Sequence, residues 1–167
     1  MLEYMLDTNI CIYVIKNRPV ALRERFDQLA EALCISTITL GELLYGVENS
    51  ARRSQNLEAV EQFTARLEVM PFSAKAAAHF GQVRAELARL GTPCGAYDML
   101  IGAHARSEGL MLVTNNVREF QRIPGLRVDN WVSPSLDRGE GDEHAQLFLI
   151  SGNRQAVVSA ALDDGFR

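Results

Sequence analysis

What most constrains this sequence is a set of short apolar runs, each stopping at a polar residue or a turn and separated by stretches of helical spacing. Leu110-Met111-Leu112-Val113-Thr114 is the clearest of them and ends at Asn115-Asn116. Tyr4-Met5-Leu6 ends at Asp7, Leu33-Cys34-Ile35 ends at Ser36, and Val69-Met70-Pro71-Phe72 and Leu126-Arg127-Val128 complete the set. Runs this short and this apolar suit strands buried on both faces. Between them the spacing predicts helices over 8–16, 20–32, 37–47, 55–67, 74–90, 96–107 and 117–122. Thr8 or Asn9 is the expected cap of the first helix, and Gly91 and Gly109 close two of the others. Strands alternating with helices imply an α/β fold with a parallel sheet covered on both sides. Pro71 puts the run at 69–72 on an edge, because a proline cannot donate to a neighbouring strand.

The chain has 167 residues, 47% of them hydrophobic, enough for one domain with a real core. A composition change follows Val132. Residues 133–143 are polar, acidic and rich in Gly and Ser, and 145–167 regain apolar character. The expected organisation is therefore a domain over 1–132 and an extension over 133–167, an acidic linker followed by a strand and a helix or by loose chain. No apolar run approaches the roughly 20 residues that span a bilayer, and Met1 to Leu6 lacks the basic segment of a signal peptide. The expected location is the cytoplasm, with no membrane partner. Cys11, Cys34 and Cys94 are scattered and form no Cys-x-x-Cys pair, as expected of small buried or half-buried hydrophobes.

Net charge is −4, so the protein has no global positive field with which to hold nucleic acid. Six of the 21 acidic and three of the 17 basic residues lie beyond Val132, which leaves 1–132 nearly neutral. Action on RNA then requires a local basic patch or metal ions. Nearly all the basic residues are arginine, the type suited to bidentate phosphate contacts; a GC-rich genome gives the same bias.

In an open parallel sheet, ligands bind beyond the C-terminal ends of the strands. Asp7 and Asn115-Asn116 stand at such ends. Glu42 and Asp98 lie near the starts of helices, and Glu119 lies one turn after Asn116. Carboxylates brought together repel one another unless cations sit between them. Mg²⁺ binds through a few carboxylates, waters and substrate phosphate oxygens, and so supports phosphodiester cleavage without a histidine base. Each acid also has a plainer reading. Asp7 can cap the following helix, Glu42 sits three after Thr39 and Glu119 three after Asn116, both capping-box spacings, and Asp98 complements a helix dipole.

The wording around these acids carries more. Met5-Leu6-Asp7-Thr8-Asn9, the block from Ile35 through Gly41-Glu42 to Gly46, the block from Gly95 through Tyr97-Asp98 to Ala105, and Leu112-Val113-Thr114-Asn115-Asn116-Val117-Arg118-Glu119-Phe120 occur in that order. Together they closely resemble the VapC toxins, PIN-domain nucleases of bacterial toxin–antitoxin pairs, from Met1 to about Trp131. The resemblance implies a three-layer α/β/α PIN-like domain. It implies Asp7, Glu42 and Asp98 at the three acidic metal-site positions, with Asp7 and Asp98 as metal ligands and Glu119 as a fourth acid. Thr8, Asn9 and Thr114 match supporting polar positions, and Asn115 and Asn116 stand where some PIN domains carry an aspartate. The implied activity is a Mg²⁺-dependent endoribonuclease, with Mn²⁺ as a substitute, that cuts single-stranded loops such as tRNA anticodon loops. The implied partners are a VapB-like antitoxin, RNA and a second copy in a homodimer. The alternative is a catalytically weak PIN-like module that only holds RNA or protein; the presence of all four acids opposes it. A haloacid-dehalogenase phosphatase would need an aspartate where Asn9 stands.

His104 lies six residues after Asp98, turned about 600° around a helix, and reads as structural or surface rather than as a ligand. His79 and His144 have no zinc spacing. Arg118 and Arg122, one turn apart, are candidate phosphate contacts, and Tyr97 is a candidate platform for a flipped base.

Overall fold

The computed structural model describes residues 1–132. The linker, strand and helix expected over 133–167 lie outside the described residues. Five strands form one parallel sheet: β1 (Tyr4–Leu6), β2 (Leu33–Ser36), β3 (Glu68–Met70), β4 (Met111–Val113) and β5 (Arg127–Asp129), in the order β3-β2-β1-β4-β5. The helices are α1 (Thr8–Ile15), α2 (Val20–Leu29), α3 (Thr37–Glu48), α4 (Arg53–Thr64), α5 (Ala74–Leu90), α6 (Ala96–Ser107) and α7 (Val117–Phe120). The expected α/β fold is present, and β3, the strand followed by Pro71, is at an edge.

The register explains why the sheet must be covered twice. Met5 pairs with Cys34 and Leu112, and Leu6 pairs with Val113. Successive side chains of a strand point to opposite faces. Met5, Cys34 and Leu112 accordingly enter a core with Val83 and Leu87 of α5 and Ile101 of α6. Leu6, Ile35 and Val113 enter another with Cys11 of α1, Phe26 of α2, Leu43 of α3 and Phe63 of α4. Each large apolar side chain buried in this way contributes about 1.5–3 kcal/mol. Truncating a fully buried one such as Phe26 to alanine is expected to cost about 3–5 kcal/mol.

Helix ends differ from the expectations in informative ways. Asp7, not Thr8 or Asn9, caps α1, as the plainer reading of that acid expects, its side chain accepting from Thr8 N at 2.8 Å. The segment 20–32 is α2 followed by a 3-10 turn over Ala30–Ala32, and α4 begins at Arg53 and ends at Thr64. Ser36 caps α3, so Glu42 is its sixth residue; the capping-box reading of Glu42 is overturned. Gly91 closes α5 at φ 65°, a left-handed conformation that a side chain would strain. Arg106 joins α5, α6 and the turn before β5 by donating to His79 Nδ1 at 3.1 Å, Gln82 Oε1 at 2.9 Å and Pro124 O at 2.9 Å.

The described chain ends against the fold rather than away from it. Trp131 donates from its indole to Asp129 Oδ2 at 2.9 Å and meets the Tyr4 ring edge-on at 5.2 Å. The Arg25 guanidinium covers its face at 4.3 Å. Among the described residues no helix is long and apolar enough to cross a membrane.

Candidate active site

The C-terminal ends of β1, β2 and β4 lie side by side, and the polar residues that terminate these strands are buried there. Asp7 is fully buried, and both of its carboxylate oxygens are held. Oδ1 accepts from Thr8 N at 2.8 Å and Oδ2 from the Thr114 hydroxyl at 2.9 Å. The Thr8 hydroxyl donates in turn to Glu42 Oε2. One threonine at the start of α1 therefore joins Asp7, the residue after β1, to Glu42 of α3. Thr114 also accepts from Asn116 N at 3.0 Å, which folds the segment after β4 back onto Asp7. Asn9 Nδ2 donates to Asn115 Oδ1 at 3.4 Å, and the buried Asn9 Oδ1 has no hydrogen-bond partner among the described residues.

Asp98 reaches this edge from α6. Only a short turn separates α6 from β4, so the helix descends antiparallel to the strands and its first turn projects beyond them. His104, in the same helix, stands level with the end of β2, its Nδ1 2.9 Å from the Ser36 hydroxyl. Asp98, six residues earlier, lies about 9 Å further out at 1.5 Å rise per residue. It is buried, as Asp7 and Glu42 are. Glu119, on α7, pairs with Arg122 at 3.0 Å, both about a third exposed. Arg122 is thus engaged beside the site, whereas Arg118 is exposed and Tyr97 is 39% exposed.

A family model for the PIN domain matches residues 4–126. The chain belongs to the PIN-domain family. Among its relatives, the tRNA(fMet)-specific endonuclease VapC of Salmonella typhimurium is 56% identical over 131 residues, 78% of this chain and 99% of that protein. Ribonuclease VapC2 of Haemophilus influenzae is 52% identical over 132 residues, 79% of this chain and 100% of that protein. Of solved structures, DNA-bound VapBC from Salmonella typhimurium matches at a TM-score of 0.77 and 56% identity, covering 79% of this chain and 100% of that chain. These PIN proteins have no counterpart to the rest of this chain.

The donors at the PIN-domain edge are hard oxygens, the chemistry that Mg²⁺ and Mn²⁺ prefer. Among the described residues no three His, Cys, Asp or Glu side chains stand close enough together to hold one ion. Mg²⁺ fits such a set nonetheless, because it takes one or two carboxylates and completes its shell with waters and phosphate oxygens. The orphaned Asn9 oxygen adds a further acceptor for a bound water.

One buried neighbour registers this edge. Burial, followed by the charge of Asp7, pushes the Cys11 thiol well above its usual range. Cys34 is pushed up to about 12, mainly by burial. Both thiols are therefore protonated, and both are buried, as expected. His104 is fully buried and lowered by desolvation, a neutral core histidine set edge-on to Phe72. Two features escaped the sequence. Ser36 both caps α3 and binds His104, and the Arg122 guanidinium is tied to the Pro93 carbonyl at 2.7 Å. A serine ahead of a helical run was a legible cap signal; the Arg122 contact spans 29 residues and had none.

Proposed function

We propose that this PIN domain is a metal-dependent endoribonuclease toxin that cuts single-stranded RNA loops, with the anticodon loop of initiator tRNA as its substrate. One observation carries the reading: Asp7, Glu42 and Asp98 are buried at the C-terminal edge of the sheet, with threonine donors on two of them. Their setting is a chain 56% identical to a tRNA(fMet)-specific endonuclease. Burying three carboxylates is costly unless something positive is to be bound among them.

Asp7 and Asp98 are the residues that would hold Mg²⁺, which supplies an acidified water and positive charge beside a phosphodiester. Thr8 N and the Thr114 hydroxyl fix the Asp7 carboxylate, so its remaining lone pairs point in set directions. Glu42, restrained by the Thr8 hydroxyl, is the acceptor for a proton released at the edge. Asn9, Asn115 and Asn116 orient water and backbone around these acids. Arg118 and Tyr97, both exposed, contact the RNA backbone and an unstacked base.

We assign residues 1–132 as the nuclease domain and 133–167 as an appended segment. A VapB-like antitoxin belongs to the same reading, supported by the VapBC complexes among the structural neighbours, and so do a homodimeric state and a cytoplasmic location. The absence of a three-ligand cluster among the described residues favours one second reading, a PIN-like module that binds RNA without cutting it.

The deciding test incubates wild type and Asp7→Asn with total bacterial tRNA and Mg²⁺, then maps new 5′ ends. The expected result is a discrete cut in initiator tRNA by wild type, lost with EDTA and lost in Asp7→Asn. RNA bound but left intact by wild type, and equally by a chain ending at Val132, overturns the nuclease and leaves the binding module.

A further inference from the structure

The loop that enters α6 is tied down by one guanidinium. Arg122 donates through Nη1 both to the Pro93 carbonyl at 2.7 Å and to Glu119 Oε2 at 3.0 Å. That nitrogen carries two hydrogens, so the two bonds form together. The Cys94 thiol meets the Glu119 carbonyl at 3.9 Å. Gly95 comes next, and a Cβ built on it would lie 3.3 Å from Asp98 Oδ2, tighter than nine in ten real Cβ contacts. The Asp98 carboxylate is packed against the Gly95 backbone, and that backbone is two residues from the carbonyl that Arg122 holds.

We propose that Arg122 is a positioning residue for Asp98, and that Glu119 serves to orient Arg122 rather than to ligate the ion. An ion pair with both partners 30% exposed adds little stability by itself. Its geometric effect is larger. The acid steers the guanidinium onto the Pro93 carbonyl, the carbonyl fixes the 93–95 loop, and Gly95 sets where the Asp98 oxygens stand. Releasing the loop lets the carboxylate drift, and a displacement of about 1 Å at a reacting centre costs on the order of a hundredfold in rate. This inference rests on reading Asp98 as a metal-site acid.

The test compares wild type with Arg122→Ala, Arg122→Lys, Glu119→Ala, Glu119→Gln, Gly95→Ala and Asp98→Asn. Each is assayed for kcat and KM on the RNA, for Mn²⁺ binding by calorimetry, and for thermal unfolding. Arg122→Ala, Glu119→Ala and Gly95→Ala are expected to lose roughly tenfold to a hundredfold in kcat. Their KM is expected to stay close to wild type and their Mn²⁺ affinity within about threefold, a difference of under 1 kcal/mol. Glu119→Gln keeps an amide oxygen for the guanidinium and is expected to recover most of what Glu119→Ala loses; Arg122→Lys recovers part. Asp98→Asn loses Mn²⁺ binding itself. If Glu119→Gln weakens Mn²⁺ as much as Asp98→Asn does, Glu119 is a ligand and the proposal is wrong. A raised KM at constant kcat in Arg122→Ala makes Arg122 an RNA contact and overturns it too. Intact Mn²⁺ binding and cleavage in Asp98→Asn would instead bring down the reading of Asp98 beneath it.

Discussion

Replacing Thr114 by valine keeps the shape of a fully buried side chain and deletes one hydroxyl. That hydroxyl donates to Asp7 Oδ2 at 2.9 Å and accepts from Asn116 N at 3.0 Å. A hydrogen bond to a charged group contributes about 1.5–3 kcal/mol. The Asn116 amide is only part-buried, and water replaces much of what it loses. The expected loss is therefore about 2–3 kcal/mol. At about 2–4 °C per kcal/mol for a domain of this size, Tm falls by roughly 4–12 °C. The measurement is thermal and urea unfolding in EDTA, so that no metal adds its own binding energy to the folded state. Asp7→Asn supplies the control. With a neutral amide in place of the carboxylate, the same hydroxyl is worth only about 0.5–1.5 kcal/mol. The double-mutant cycle should then return a coupling of about 1 kcal/mol or more between positions 7 and 114. Strict additivity, or a Thr114→Val protein that melts with wild type, would refute the claim that Thr114 holds a charged Asp7 in place.

Gly102 lies where α6 meets the segment after α7; an added Cβ would stand well under 3.0 Å from Ile123 Cδ1 and 3.2 Å from Leu126 Cδ2. Gly102→Ala is expected to cost about 1–3 kcal/mol in urea unfolding, and a neutral result would mean that Ile123 swings aside freely. His104 has its pKa lowered by burial from 6.5, so the unfolded chain binds its proton first. Stability is fully present above about 6.5 and declines as pH falls through that value. His104→Gln should remove this part of the decline, read as the urea midpoint between pH 8 and pH 5. Arg118→Ala should raise KM for RNA and reduce the slope of log affinity against log salt by about one; an unchanged KM with lower kcat would argue against a phosphate contact.

The alternation of the strands was legible because each central strand carries adjacent apolar residues, Met5 and Leu6, Cys34 and Ile35, Leu112 and Val113, which must bury both faces. That requirement by itself dictates helices on both sides of a parallel sheet. Asp7, Ser36 and Thr114 could be placed at strand ends for the same reason, since an apolar run that stops at a polar side chain marks where the sheet meets the edge. Local signals such as Gly91 after α5 and Pro71 after β3 were equally plain, because their conformational limits act within one or two residues.

The relations across the edge had no local signal. That Thr8 bridges to Glu42 across 34 residues, and Thr114 to Asp7 across 107, depends on strand order, and strand order is a property of the packed sheet. Glu42 carried a capping-box spacing that competes with any catalytic reading, and only the position of Ser36 as the true cap removed it. Arg122 read from its neighbours as a candidate phosphate contact or as half of a surface salt bridge; the folded chain pairs it with Glu119 and brings the Pro93 carbonyl to it. Apolar period and chain punctuation act over a few residues and are written in the sequence, so they determined the fold class and nominated the acids. Which oxygen meets which hydrogen depends on distances between segments far apart in the chain, and packing alone sets those.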